Sequence, residues 1–171
     1  REAAALGIAR YRVVPFDRVT DGQATTALLA GEHFEDPSLP VLIYNIDTYV
    51  EPAYLPVAEA HGCGWIPCFP GDGEGWSFAR AGEDGTVSEL AEKRRISPDA
   101  TVGLYWFRSF QLYRDSYQRH FSNGGTAHGE RYIAPLYNTL ITMHGGVHLS
   151  RIPKQAVHPL GTPEEVRVFR P

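Results

Sequence analysis

Apolar positions recur along this 171-residue chain with two spacings, and the spacing assigns most of its elements. Arg1 to Ile8 is alanine-rich with high helix propensity, and Gly7 stands where a helix would stop. Tyr11 to Phe16 is a short apolar run that predicts a strand. Asp21-Gly22 marks a turn, and Ala24 to Phe34 reads as a helix whose apolar stripe is Ala27, Leu28, Ala30 and Phe34. Pro37 and Pro40 break the chain before Val41-Leu42-Ile43-Tyr44, a continuous apolar run that predicts a central strand buried on both faces. Helix followed by buried strand is the βαβ order, which predicts a mostly parallel sheet.

Trp65 to Phe69 and Trp76 to Ala79 predict two further strands, separated by Gly71-Asp72-Gly73-Glu74-Gly75, and Val87 to Glu92 predicts another. Thr101 to Phe107, aromatic and β-branched, predicts one strong strand. Phe110 to Phe121 and Tyr132 to Met143 read as amphipathic helices. Gly145-Gly146 closes the second, and Val147 to Ile152 returns as a strand. Thr162, Pro163 and Glu165 stand at the N-cap, first and third positions of a last short helix, the pattern of a capping box. No repeat, low-complexity tract or linker interrupts residues 1–171, which read as a single α/β domain. The opening has neither Met nor a cap before its helix, so the chain reads as a piece that starts inside its domain.

Composition narrows the classes. A formal net charge of -4 offers no basic footprint for nucleic acid. No apolar run reaches the roughly 18 residues of a membrane span, and no leader peptide opens the chain, which points to the cytoplasm. Cys63 and Cys68 lie too close together to staple a domain and read as reduced thiols.

Three places could carry chemistry. Asp47 ends the apolar strand within Asn45-Ile46-Asp47-Thr48. Ligands of open α/β sheets bind beyond strand ends, and a carboxylate there suits Mg²⁺, though it equally caps a turn. Glu92-Lys93 could orient a phosphorylated sugar; on its own it reads as a solvated strand end before Arg94 and Arg95. Asp21-Gly22-Gln23-Ala24, at a helix start, allows close backbone approach and favours an anion, or is a plain N-cap. His61, Cys63 and Cys68 match no zinc spacing. The acidic loop at Gly71 to Gly75 would repel phosphate and lacks a P-loop lysine. No G-x-S-x-G elbow is present.

In their order along the chain, these fragments resemble the sugar-phosphate nucleotidyltransferases, or nucleotide-sugar pyrophosphorylases, in the branch linked to capsule and surface-polysaccharide synthesis. The match runs from about Thr20 to the C-terminus. Asp21-Gly22-Gln23-Ala24 is similar to the family's base-binding turn, and Tyr44-Asn45-Ile46-Asp47-Thr48 to its metal-binding strand end. Gly75-Trp76-Ser77-Phe78 falls at the glycine beside the sugar. Ala91-Glu92-Lys93 matches the Glu-Lys pair that grips the sugar and its phosphate. Gly103-Leu104-Tyr105, Gly129-Glu130-Arg131-Tyr132 and Gly161-Thr162-Pro163-Glu164 follow in the family's order.

The resemblance implies a Rossmann-like mixed sheet, mostly parallel, with flanking helices and its first βα unit missing. It implies Mg²⁺ on Asp47, catalytic roles for Asp47 and Lys93, and substrate binding at Gly22, Gln23, Asn45, Gly75, Glu92, Gly103, Tyr105 and Glu130. The partners would be a nucleoside triphosphate and a sugar 1-phosphate. The family's glycine-rich triphosphate loop has no match here and would lie upstream of Arg1. The open sheet edge that this leaves predicts self-association. Pro159, beside His158, stands where a second metal-binding aspartate is usual, and proline offers no side-chain ligand. Both departures predict impaired turnover. The rival readings are a nucleotide-sugar-dependent glycosyltransferase, disfavoured because Asn45 stands in the first place of an Asp-x-Asp, and a non-catalytic sugar-nucleotide-binding domain.

Overall fold

A computed structural model describes residues 2–122, 126 and 129–169. Arg1, the first residue of the predicted opening helix, lies outside them. The elements follow in the order α1 (Glu2–Ala5), α2 (Gln23–Gly31), β1 (Val41–Tyr44), β2 (Thr48–Val50), β3 (Gly64–Pro70), β4 (Ser77–Ala81), β5 (Val87–Glu92), β6 (Asp99–Thr101), β7 (Leu104–Phe107), α3 (Phe110–Phe121), α4 (Leu136–His144), β8 (Val147–Arg151), β9 (Val157–Pro159) and α5 (Pro163–Val168).

Strand β3 organises the sheet. It is buried along nearly its whole length. On one side it pairs in parallel with β8. On the other, β7 and β6 lie end to end against it, both antiparallel. Their far edges then take different partners: β7 pairs with β1, while β6 pairs with β4, which carries β5. Every ladder among the described residues is antiparallel except β3 with β8. The described sheet is therefore mixed but mainly antiparallel, where the helix-strand order had predicted mostly parallel pairing. The one parallel pair is joined through α3 and α4, the long crossover that parallel strands require.

Side-chain alternation along β3 divides the core. Ile66 and Cys68 join the cluster formed with α2, α3 and α4, which includes Ala24, Phe110, Tyr113, Leu136 and Leu140. Trp65 and Phe69 point to the other face, with Phe78, Val102, Leu104, Ile152 and Val157. That second face is covered by the small β2–β9 ribbon, which the sequence pattern does not reveal. Helix α3 spans the predicted residues, and the Ser109 hydroxyl caps it by accepting from Leu112 N at 3.1 Å. Helix α5 starts with the predicted capping box.

Several expectations are corrected. Val41–Tyr44 is the outer strand of the sheet, and Leu42 and Tyr44 are exposed, so it is not central. Tyr11 to Phe16 forms no strand; Tyr11 and Val13 face solvent, because no described strand pairs with the segment. Thr101 to Phe107 is split in two at Gly103, whose φ of 76° lies in the left-handed region. Helix α4 begins at Leu136 rather than Tyr132, with Pro135, which has no N–H to donate, at its N-cap. No described helix is long and apolar enough to cross a membrane.

Phe107 joins the halves of the helical face. It is fully buried and packs against Tyr113 and Tyr137 with ring centroids 5.1 Å and 4.6 Å apart. Phe107→Ala is expected to cost about 3–5 kcal/mol, read as a lowered urea midpoint with an unchanged slope.

Candidate active site

A cleft of about 600 Å³ opens where the far edge of the split strand passes from β1 to β4. Of the residues singled out in the sequence, it is lined by Gln23, Asn45, Asp47, Gly75, Glu92, Lys93, Gly103 and Tyr105. Five separate chain segments bring them together. Gly22 and Glu130 are not among the lining residues.

The floor is polar and tightly bonded. Asn45 N donates to Gly103 O at 3.0 Å, and Gln23 Nε2 donates to Asn45 Oδ1. Tyr105 is buried, and its hydroxyl lies 3.1 Å from Thr101 Oγ1 and donates to Ser77 Oγ at 3.4 Å. Ser77, opposite Glu92 in the β4–β5 ladder, donates to the Glu92 carboxylate. Burial pushes the Tyr105 phenol up to about 12, so it stays a neutral donor at ordinary pH. These bonds fix the Glu92 carboxylate toward the cleft.

Asp47 stands exposed at the end of the β1–β2 turn, and its carbonyl accepts from Leu160 N at 2.7 Å. Facing it is the segment that follows β9. A methyl carbon placed on Gly161 would lie 4.0 Å from Asp47 Oδ2 and 3.8 Å from Glu165 Oε2. Glu165 Oε2 is held by the cap, accepting from Thr162 N and Oγ1 at 2.8 and 2.9 Å. Pro159 also lines the cleft, opposite Thr48 in the ribbon, and brings no side-chain donor atom. His158 bonds Glu51 at 3.2 Å instead of lining the cleft.

Lys93 follows β5 with φ 48°, and its Nζ donates to the Tyr132 hydroxyl at 2.7 Å. That hydrogen bond is the main reason its pKa lies above the ordinary lysine value. Lys93 is the cation among the lining residues, set against Asp47, Asp72, Glu92 and Glu165. Asp72 is paired with Lys154. Gly22 serves close packing: a Cβ there would lie 2.5 Å from both Arg131 N and Arg131 O. Sequence reasoning passed over Tyr132, Trp76, Ser77, Thr101 and Glu165 as site residues. Tyr132 and Trp76 stood inside segments already singled out, but the signal in each had been assigned to a neighbour.

The remaining motifs resolve structurally. Cys63 and Cys68 are free and buried, and His61 stacks on His148 with centroids 4.1 Å apart. Among the described residues, no group of three or more His, Cys, Asp or Glu side chains is placed to hold a metal ion.

Neither a protein-family model nor a curated protein matches the chain. Solved structures do. The chain is similar to the nucleoside-diphosphate-sugar pyrophosphorylase from Vibrio cholerae RC9, at 31% identity and a TM-score of 0.85, over 97% of this chain and 71% of that one. It therefore belongs to the nucleoside-diphosphate-sugar pyrophosphorylase family. The fold is shared with the inositol-1-phosphate CTP transferase from T. maritima, at 12% identity and a TM-score of 0.64, over 84% of this chain and 57% of that one. It is shared also with HddC from Yersinia pseudotuberculosis, at 18% identity and a TM-score of 0.57, over 88% and 62%.

Gly103 holds the floor together. An alanine there would keep a left-handed φ of 76° and bring its Cβ to 2.9 Å from Asn45 Nδ2. Gly103→Ala is expected to lose about 1–2 kcal/mol from the backbone alone, measured by denaturant unfolding. Tyr105 generates a second expectation. Its folded pKa of about 12 lies above the ordinary tyrosine value of about 10. Its contribution to stability is thus complete below about pH 10 and is lost as pH rises toward 12. Tyr105→Phe should shallow the fall in stability across that window.

Proposed function

We propose that the protein is a sugar-phosphate nucleotidyltransferase, forming a nucleotide-diphosphate sugar from a nucleoside triphosphate and a sugar 1-phosphate. The observation that carries this reading is the convergence of Gln23, Asn45, Asp47, Glu92 and Lys93 on one cleft. Membership of the pyrophosphorylase family supports it. An oxygen of the sugar phosphate attacks the α-phosphorus, and the bond from that phosphorus to the departing pyrophosphate breaks in line. Catalysis is then positioning and electrostatics.

The roles follow from charge and donor type. Lys93 holds the attacking phosphate with an ammonium group. Glu92, fixed by Ser77, accepts from sugar hydroxyls. Gln23 and Asn45, tied to each other, stand on the nucleotide side with the turn at Gly22. Lys93 faces Asp47, Glu92 and Glu165, while Asp72 is already paired with Lys154, so an anionic substrate needs further positive charge. Mg²⁺ fits that need. Asp47 is an exposed hard oxygen donor, and Mg²⁺ is commonly held by one or two carboxylates with waters and substrate phosphates rather than an all-protein cage. Asp47 would hold the ion, which when bound supplies positive charge to phosphoryl oxygens. With Pro159 opposite, a second site of the same kind has no donor from that position.

Incubation of the full-length protein with a nucleoside triphosphate, a sugar 1-phosphate and Mg²⁺ is expected to release pyrophosphate. Lys93→Ala should lower the rate by about 10²-fold or more. Unchanged turnover would remove Lys93 from its role. Sugar-phosphate binding in a thermal-shift series without pyrophosphate release would favour a non-catalytic binding domain instead.

A further inference from the structure

Lys93 is held in an unusual way for an exposed lysine. Its φ of 48° is the positive value found at a non-glycine residue among those described. Such backbone is disfavoured for a residue with a side chain and persists where surrounding contacts enforce it. Here its N–H donates to Trp76 O at 3.0 Å, while its Nζ donates to Tyr132 Oη at 2.7 Å. The ammonium also stands 4.9 Å from the centroid of the Tyr132 ring. A lysine stem ordinarily has many rotamers open to it, and these contacts remove much of that freedom before any ligand arrives.

Tyr132 is itself anchored on the opposite side of the cleft. Its neighbour Arg131 clamps the start of α2: Arg131 N donates to Asp21 O at 2.8 Å, and Arg131 O accepts from Ala24 N at 2.9 Å. The Tyr132 backbone thus follows the turn that carries Gly22 and Gln23. Its ring reaches across to the residue after β5. Because the phenol oxygen accepts from Lys93, its own proton is left for another acceptor. Burial raises the phenol pKa first, and the bond to Lys93 lowers it. An ammonium has three donors, and one is spent on Tyr132. Two remain for the oxygens of a phosphate monoester.

We propose that Tyr132 is a positioning residue that fixes the Lys93 ammonium as the phosphate-monoester contact of the cleft and ties it to the α2 turn. The inference rests on the reading of Lys93 as a phosphate ligand.

The chain contains two lysines, Lys93 and Lys154, so lysine-labelled NMR yields one signal for the site and one internal control. In Tyr132→Phe, the Lys93 ammonium should titrate at lower pH than in the wild type, with Lys154 unmoved. Titration with glucose 1-phosphate should shift the Lys93 signal, with an apparent Kd about tenfold weaker in Tyr132→Phe. Tyr132→Leu, which removes the same hydroxyl, should move both readouts the same way and provides the test if Tyr132→Phe does not fold. In turnover, Tyr132→Phe should raise KM for the sugar phosphate more than it lowers kcat, and should add nothing in a Lys93→Ala background. An unchanged Lys93 titration and affinity, or full additivity with Lys93→Ala, would overturn the proposal. The NMR readouts need no reaction: absent pyrophosphate release with the lysine effects intact would sink the proposed activity and leave the positioning role standing.

Discussion

The break in the sheet at Gly103 is the constraint on which the site depends. Without it, residues 99–107 would run as one strand along β3 and keep one partner on their far edge. The left-handed backbone at Gly103 ends β6 and restarts the chain as β7, so that β6 continues to β4 and β7 to β1. Between the two diverging partners the cleft opens, and its floor is made of the residues around the break: Thr101, Gly103, Tyr105 and the facing Asn45. A side chain at residue 103 would collide with Asn45, so the break and the floor are one feature. Only glycine satisfies both the backbone angle and the close approach.

Around that floor, side chains are positioned in linked pairs. Gln23 is bonded to Asn45, Ser77 to Glu92, Tyr132 to Lys93, Lys154 to Asp72 and Thr162 to Glu165. Most pairs join residues from different elements, so each element of the cleft wall is oriented by another. Such cross-linking lowers the ordering cost of ligand binding, which otherwise subtracts from affinity. It also leaves more carboxylates than ammonium groups around the cleft, since Lys154 is taken by Asp72 and Lys93 faces the rest. That balance favours substrates arriving with a cation over a bare anion.

Much of this was legible in the chain. The apolar spacing located α2, α3, β1, β3, β4, β5 and β8, because the period of 3.6 or 2 is imposed by each element's own geometry. The capping box of α5 was readable because its bonds span three residues. Eight of the ten residues proposed for the site line one cleft. Their motifs lie at turns and strand ends, where glycine, asparagine and acidic residues leave a local mark. The four apolar residues of β1 were read as a buried central strand, yet the strand is outermost with two side chains exposed.

By itself, then, the sequence determined the local elements, their caps, and a set of polar positions whose order marks the family. Only the tertiary structure decided the strand order, the mainly antiparallel pairing, the split at Gly103 and the β2–β9 ribbon. It alone brought Tyr132 to Lys93, across 39 residues of chain. The physical reason is range. Propensity, periodicity and capping are settled within a few residues, whereas pairing partners and cross-cleft hydrogen bonds are chosen among distant segments by the packing of the whole core.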